Sequence, residues 1–200
     1  MNLVVTGLSY LLHEKILFEP ISFALNNGAG IWIKGVNGAG KSSLLRLLAG
    51  ISSSKIGSLH WNTNREHIYS HIHYLGHSDG LRKGLTVIEN LKLSAALLQQ
   101  EIVCLQEALE ALQLENVIHK PIQSLSAGQK RRAALARLFV FPRSIWILDE
   151  PITSLDTQTQ QIIHTKIAAH LTAGGLCILT SHQPLPETLQ QLQQIELLPC

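Results

Sequence analysis

The sequence contains little charge, few aromatic residues and few cysteines. Of its 200 residues, 15% are charged and 5% are aromatic, whereas 46% are hydrophobic. So low a charge content excludes an intrinsically disordered protein and predicts a packed core. The length is typical of one domain. The formal net charge is only +2. Because nucleic-acid binding depends on a strong positive field, no nucleic acid partner is expected.

Cysteine pairs and long hydrophobic runs are also missing. Cys104, Cys177 and Cys200 show no CxxC spacing, which argues against a disulfide framework and against a zinc knuckle. Apolar runs such as 145–148 and 176–179 are strand-sized and fall far short of the roughly 20 residues that cross a bilayer. The first fifteen residues do not show the pattern of a secretory signal. We therefore expect a cytoplasmic chain that reaches a membrane only through a partner.

Turn-forming residues divide the first third of the chain into short apolar stretches that predict strands, and leucine-rich segments further on predict helices. The predicted strands cover residues 3–8, 16–25, 31–34, 145–148 and 176–180. The predicted helices cover residues 42–50, 85–115, a segment from Ser126 and residues 157–170, and the tail 185–198 is predicted to form a helix and then a short strand. Strands that alternate with helices predict an α/β fold with a mostly parallel sheet flanked by helices, and residues 85–115 predict an inserted helical subdomain.

The clearest motif is GVNGAGKS at residues 35–42, which fits the phosphate loop G-x-x-x-x-G-K-[ST] between a predicted strand and a predicted helix. Its glycines let backbone N–H groups turn toward phosphate oxygens at the start of a helix. Lys41 supplies positive charge for the β and γ phosphates, and Ser42 supplies a hydroxyl for Mg²⁺. The loop residues predicted to bind the nucleotide are Gly35, Val36, Asn37, Gly38, Ala39, Gly40, Lys41, Ser42 and Ser43.

Two acids, Asp149 and Glu150, follow the predicted strand 145–148 at its carboxyl end, where open α/β sheets bind ligands. Because successive strand residues point in opposite directions, the two acids are expected to have different tasks. Asp149 is predicted to hold Mg²⁺ through water. Glu150 is predicted to polarise the water that attacks the γ phosphate.

The stretch LSAGQ at residues 125–129 lies between the phosphate loop and the acid pair and resembles the signature of the ATP-binding cassette (ABC) ATPases. The resemblance covers the whole chain and implies the phosphate-loop NTPase fold of that family, with an N-terminal antiparallel β part. It implies a single nucleotide-binding domain over residues 1–200, with a core at about 1–76 and 138–200 and a helical subdomain at about 78–137. ATP and Mg²⁺ are the implied ligands.

Further residues match motifs of the same family. Tyr10 resembles the aromatic residue that stacks on adenine, and His182 resembles the switch histidine. The residues that resemble the D-loop are Ser154, Leu155 and Asp156, and those that resemble the signature are Leu125, Ser126, Ala127, Gly128 and Gln129. The resemblance implies a head-to-tail dimer in which Ser126 and Gly128, at a helix N-terminus, bind the γ phosphate held by the partner protomer's phosphate loop.

Two positions depart from the family pattern. Ala127 stands where most members have glycine, so its backbone is expected in a region open to all residues. Residues 74–78 lack the family's glutamine, so the position that senses Mg²⁺ and the membrane partner is His77 or Ser78.

The family resemblance implies an ATPase that is paired with itself or with a second cassette. It also implies an integral membrane subunit as partner and a peripheral place on the cytoplasmic face of the bacterial inner membrane. Moving a solute and remodelling a protein assembly are both compatible with these residues. A phosphate-loop kinase is disfavoured, because it has no use for the LSAGQ signature, and a DNA-repair or translation cassette is disfavoured by the lack of coiled coils or a second cassette.

Four histidines, His67, His71, His73 and His77, raise the alternative of a metal or heme site. If residues 68–75 form a strand, His71 and His73 share one face at a spacing that suits a metal ion. Apart from Glu66, no carboxylate or cysteine nearby completes the set. The favoured interpretation is that these histidines lie on a solvated strand face and in a loop that faces a partner.

Overall fold

The computed structural model describes residues 2–53, 55–62 and 65–200, apart from the side chains of residues 65–67. The chain divides into two compact units. The first consists of Met1–His77, Ser144–Pro151 and His164–Cys200, and the second of Ser78–Arg143 and Ile152–Ile163.

All strands of the described residues belong to the first unit. They are β1 (Leu3–Leu12), β2 (Lys15–Ile16), β3 (Ile21–Leu25), β4 (Gly30–Lys34), β5 (Lys55–Trp61), β6 (Ile72–Leu75), β7 (Ile145–Leu148), β8 (Leu176–Thr180) and β9 (Gln193–Glu196). The α-helices are α1 (Lys41–Leu48), α2 (Val87–Leu98), α3 (Leu105–Ala111), α4 (Ala127–Leu135), α5 (Arg137–Val140) and α6 (Thr157–Thr172). The 3₁₀ helices of the described residues are Arg65–His71, Glu115–Val117, Ile122–Ser124 and Glu187–Leu189.

An antiparallel sheet is built around β1, which pairs with β2, β3 and β5. Leu3 and Val5 are buried whereas Val4 is 42% exposed, which is the alternation of a strand with one face on the core. A shift in register between Val5 and Leu8 then turns Leu8 inward as well. The alternation therefore changes phase at a bulge, and Leu8 stays on the core side with Leu3 and Val5.

A second, parallel sheet has the strand order β6-β7-β8-β4-β9. Ile147 pairs with Ile178 across β7 and β8, and Ile178 pairs with Ile31 of β4. Every residue of β7 and β8 is buried, as their continuous apolar sequences predicted. The predicted α/β fold with a mostly parallel sheet is confirmed. The carboxyl ends of β4, β7 and β8 lie at one edge, so the segments that follow them meet there.

The segment predicted to be helical, residues 85–115, is not one continuous helix. It is two helices, α2 and α3, separated by residues 99–104. Gln99 and Cys104 at the two sides of the break have φ of 51° and 49°. Both are left-handed conformations, and they end one helix and precede the next without the glycine that usually marks such a place.

Two further predictions from periodicity are corrected. The apolar stretch 16–25 is divided between β2 and β3, with Pro20 between them, because proline has no N–H to donate to a ladder. The helix predicted in the tail is a single 3₁₀ turn, Glu187–Leu189, although the short terminal strand is present as β9.

The second unit contains a polar anchor that periodicity did not reveal. The buried side chain of Asn90 accepts a hydrogen bond from Arg82 N at 2.7 Å and donates to the carbonyl oxygens of Arg82 and Thr86 at 3.1 and 2.9 Å. These bonds fix the turn that leads into α2. None of the helices in the described ranges is long and apolar enough to cross a bilayer.

Candidate functional site

The phosphate loop connects β4 to α1, and its glycines have backbone angles that other residues rarely adopt. Gly35, Gly38 and Gly40 have φ of 147°, 85° and 95°. A Cβ built on Gly40 would lie 2.8 Å from Phe18 Cδ1 and 2.9 Å from Leu17 Cδ2. Glycine is therefore required at position 40 by its conformation and by the lack of room.

The amino end of α1 is open to an anion. Gly40 is its N-cap, and within the part of the chain that the structure describes no side chain caps this end. The first N–H groups of a helix have no partners inside the helix and carry its positive dipole end. Together with the Ser42 hydroxyl, these donors fit a triphosphate with bound Mg²⁺, which prefers oxygen ligands.

Lys41 places its positive charge inside this loop. Its side chain is largely buried, and Nζ donates to the carbonyl oxygens of Gly35 at 2.8 Å and Val36 at 3.2 Å. The ammonium group therefore lies folded over the backbone that would surround a phosphate.

The acid pair follows β7, which ends at Leu148. The predicted reason for two separate tasks is wrong, since both acids lie beyond the strand and Glu150 has φ of 49°, so strand alternation does not apply to them. Their surroundings do differ. Asp149 is 2% exposed, whereas the Glu150 side chain is 14% exposed beside His182.

Thr180, the last residue of β8, joins the two acids. Its Oγ1 accepts a hydrogen bond from Glu150 N at 2.9 Å and donates one to Asp149 Oδ1 at 2.8 Å. Sequence reasoning did not assign this contact, because nothing local in the stretch LCILT marks its hydroxyl as a link between strands.

His182 lies against Glu150. Its backbone N–H donates to Glu150 Oε2 at 3.2 Å, and its Nε2 is 3.5 Å from Glu150 Oε1. The indole N–H of Trp32 donates to the Ser181 carbonyl at 3.3 Å, which ties the segment after β8 to β4. The imidazole is 53% exposed and is thus accessible from solvent.

Tyr74 of β6 is a second residue that sequence reasoning did not place at this edge. Burial raises the pKa of its hydroxyl, a hydrogen bond with Arg46 opposes that shift, and the charge of Asp149 adds to it. The phenol is therefore neutral at physiological pH, and it links α1, through Arg46, to the surroundings of the acid pair.

Tyr10, the predicted adenine contact, is partly buried against the core of the first unit. Its hydroxyl accepts a hydrogen bond from Ser52 Oγ at 3.3 Å. Its contact with adenine stays a prediction.

The signature residues lie at the start of α4 in the second unit. Ser126 is the N-cap: its Oγ accepts from Gln129 N at 3.2 Å, and Gln129 Oε1 accepts from Ser126 N at 3.0 Å. This is a capping box. Ala127 is the first helical residue and has an ordinary backbone conformation, as expected for a residue that replaces glycine.

The residues predicted as the D-loop precede α6 in the same unit. Leu155 is buried, and Asp156 Oδ1 accepts hydrogen bonds from Thr159 N at 2.8 Å and Thr159 Oγ1 at 3.0 Å. These hydrogen bonds lower the pKa of the Asp156 carboxyl. Asp156 is therefore an ionised N-cap for α6.

The histidine cluster does not form the predicted strand face. His71 ends the 3₁₀ segment Arg65–His71 and its Nδ1 lies 3.4 Å from Ser144 Oγ, whereas His73 is buried in β6. The side chains of His67 and Glu66 lie outside the described part, and His77 is exposed. Across the described residues, no group of three or more histidine, cysteine or acidic side chains could hold a metal ion. The role of His77 at the Mg²⁺ site stays a prediction.

Comparisons with known proteins agree on one family. The model of the family described as ABC transporter matches residues 18–153. The chain is 37% identical to the cytochrome c biogenesis ATP-binding export protein CcmA of Vibrio cholerae, over 98% of both chains. It is 42% identical to the protein of the same name from Rhizobium meliloti, over 92% of this chain and 93% of that one. A solved structure of the ATP-binding subunit of an ABC transporter has a TM-score of 0.86 at 22% identity, over 99% of this chain and 86% of that chain, and so supports the fold.

Proposed function

The chain belongs to the ABC transporter family, and we propose that it is the ATP-hydrolysing subunit of a membrane ABC complex that serves cytochrome c maturation. The observation that carries the proposal is the meeting of three segments at one sheet edge. The phosphate loop follows β4, the acid pair follows β7 and His182 follows β8, and these strands pair in the order β7-β8-β4. Groups assigned to binding a triphosphate and groups assigned to activating water therefore lie at the same edge of the sheet, which supports the proposal.

In this proposal residues 35–43 bind the phosphates of ATP, with Lys41 neutralising the β and γ phosphates, and Tyr10 stacks on adenine. Mg²⁺ would be held by the Ser42 hydroxyl and, through water, by the Asp149 carboxylate. When bound, it neutralises charge on the β and γ phosphates.

Glu150 would accept the proton of the attacking water. Its carboxylate is oriented by the backbone N–H of His182 at 3.2 Å, and a carboxylate has several lone pairs, so it can hold that bond and a water molecule together. The exposed imidazole of His182 would donate a hydrogen bond to the γ phosphate as charge develops there.

The signature and the D-loop would complete the site of a second copy, in a head-to-tail dimer. The Ser126 hydroxyl already accepts a bond from Gln129 N, but a hydroxyl also has a proton to donate. Ser126 and Gly128 at the start of α4 would thus bind the γ phosphate in the partner's phosphate loop. An ATP-dependent cross-link between residues 42 and 126 of different protomers is expected, and its absence in an ATP-trapped variant would contradict the dimer.

The cargo assignment follows the relatives rather than the site, because the groups described above bind nucleotide and do not define a cargo. The resemblance to the cytochrome c maturation ATPase rests on the stretches at residues 11–28, 74–77, 85–91, 125–138 and 145–156. We therefore assign export of heme, or release of a heme chaperone, with an integral membrane subunit at the cytoplasmic face of the bacterial inner membrane. The whole chain would act there as one nucleotide-binding domain.

The ATPase part is tested with purified protein. Phosphate release should require Lys41, so Lys41→Ala should lose ATP binding and turnover, whereas Lys15→Ala on the exposed strand β2 should keep both. Near-normal binding and turnover by Lys41→Ala would remove the phosphate-loop assignment.

The cargo part is tested by replacing the relative in Vibrio cholerae with this chain and staining c-type cytochromes for heme. Rescue by the wild-type chain but not by Lys41→Ala is expected, together with co-purification of a multi-span membrane protein. An active ATPase that gives no rescue would favour another ABC complex with an unknown substrate, or a cassette that remodels a protein assembly.

A further inference from the structure

We infer that Thr180 is a positioning residue for the acid pair, because its hydroxyl joins Asp149 and Glu150 in one hydrogen-bonded unit. The inference deepens the proposed ATPase function and rests on it. Thr180 is the carboxyl-terminal residue of β8 and has no exposed surface, so its hydroxyl is directed by the protein and not by solvent.

Chemistry fixes the direction of both bonds. A backbone N–H can only donate, an ionised carboxylate can only accept, and a hydroxyl has one proton. Because Glu150 N lies 2.9 Å and Asp149 Oδ1 lies 2.8 Å from Thr180 Oγ1, the hydroxyl must accept from Glu150 and donate to Asp149. It cannot reverse without losing both bonds, so each bond supports the other.

Packing alone does not explain a hydroxyl at this position. The residues before it in β8 are Leu176, Cys177, Ile178 and Leu179, and all are buried. Valine has nearly the shape of threonine and suits a buried strand, and a buried hydroxyl is costly unless it is hydrogen-bonded. What threonine adds is the link between the two acids.

The two hydrogen bonds of Thr180 hold both acids in position at the candidate site. Glu150 has φ of 49°, which is unfavourable for a residue with a side chain. The bond from its N–H to Thr180 helps hold that conformation, which directs the carboxylate to His182. The bond to Asp149 holds Oδ1 and so limits the rotation of the carboxylate. Loss of the hydroxyl would release the acid assigned to Mg²⁺ and the acid assigned to water together.

The variant Thr180→Val removes the hydroxyl and keeps the shape, and Thr180→Ser keeps the hydroxyl. For Thr180→Val we expect kcat to fall by about 10- to 100-fold, the usual effect of losing a partner that orients a ligand. The Mg²⁺ concentration for half-maximal activity should rise, while ATP affinity measured without Mg²⁺ changes less than about twofold. Thr180→Ser should recover most of the lost turnover. Turnover and Mg²⁺ response like wild type in Thr180→Val, or equal loss in Thr180→Ser, would overturn the inference.

A second measurement needs neither ATP nor Mg²⁺. In urea unfolding of the nucleotide-free protein, the midpoint shifts caused by Thr180→Val and Asp149→Ala should not add in the double variant, because each change removes the bond that the two side chains share. Additive shifts would overturn the link, and Thr180→Ala gives the same cycle if the valine variant does not fold. A wild type no more active than Lys41→Ala would remove the proposed function and this role with it. An active wild type with an unimpaired Thr180→Val would remove this role alone.

Discussion

Gly128 lies so close to the backbone of Ser154 that a Cβ on residue 128 would be 2.9 Å from the Ser154 carbonyl oxygen. Gly128 is in the first turn of α4 and has an ordinary helical backbone, whereas Ser154 has φ of 66°. Glycine is therefore required at position 128 by space and not by conformation. Within the second unit, the segment predicted as the signature therefore contacts the segment predicted as the D-loop.

The contact makes Gly128→Ala an informative variant. Alanine in place of a helical glycine normally stabilises a protein by up to about 1 kcal/mol. Here the added methyl must displace Ser154, so we expect no gain in the free energy of unfolding and a clear loss of ATP turnover. The neighbouring change Ala127→Gly meets no such contact and should keep turnover. A stabilised and fully active Gly128→Ala protein would show that the contact between residues 128 and 154 is not needed for ATP turnover.

Glu150→Gln should slow hydrolysis by about a hundred- to ten-thousand-fold, the usual range for a positioned base, while ATP still binds. Since bound ATP is then not consumed, the variant should form an ATP-dependent dimer visible by light scattering. Glu196→Gln on β9 is the matched control and should turn over like wild type. A Glu150→Gln protein that stays monomeric and hydrolyses ATP normally would rule out Glu150 as the base.

His182→Ala should bind ATP nearly as well as wild type and lose most of its turnover, because the missing contact matters chiefly when charge develops at the γ phosphate. His13→Ala, an exposed histidine between β1 and β2, serves as the control. Phosphate release and nucleotide affinity are the measurements. Turnover within about twofold of wild type in a folded, dimeric His182→Ala protein would leave Glu150 to act alone.

His170 predicts a pH dependence of stability. Its ring stacks on Trp146 with centroids 3.9 Å apart and planes inclined by 5°, and its Nε2 is 3.1 Å from the Leu176 carbonyl oxygen. Burial lowers the pKa of this imidazole below its ordinary value of 6.5. The unfolded chain then binds more protons, so the free energy of unfolding should fall as pH decreases from about 7.5 to about 5.5.

The variant His170→Phe keeps an aromatic ring against Trp146 and cannot be protonated. Its urea midpoint should therefore depend less on pH than that of wild type over the same range. Some dependence should remain, because burial also lowers the pKa of His164. An unchanged slope in His170→Phe would show that His170 is not responsible.

Sequence reasoning succeeded where the determinants are local. The apolar run Leu176–Thr180 is a buried strand with the predicted ends, and the phosphate loop lies between a strand and a helix, as the motif requires. The spacing of glycines and Lys41 is a property of eight consecutive residues, so no tertiary information was needed to recognise it.

Other features depend on residues that are distant in the sequence or act against their usual preference. Gln99 and Cys104 adopt left-handed conformations at the break between α2 and α3. Their residue types alone do not predict these conformations. The contacts of Thr180 with Asp149 and Glu150 bridge 31 and 30 positions. Only the pairing of β7 with β8 brings these groups together, so a pattern read along one segment could not predict them.

The strand order also determines when the proposed nucleotide site can form during synthesis. β4, which leads into the phosphate loop, lies between β8 and β9, the last two strands of the described chain. The carbonyl oxygen of Lys34, next to the loop, accepts a hydrogen bond from Leu197 N at 2.9 Å. A ribosome makes the loop early and its neighbouring strands late. A growing chain therefore carries a phosphate loop without its sheet, and ATP binding can stabilise only a nearly finished protein.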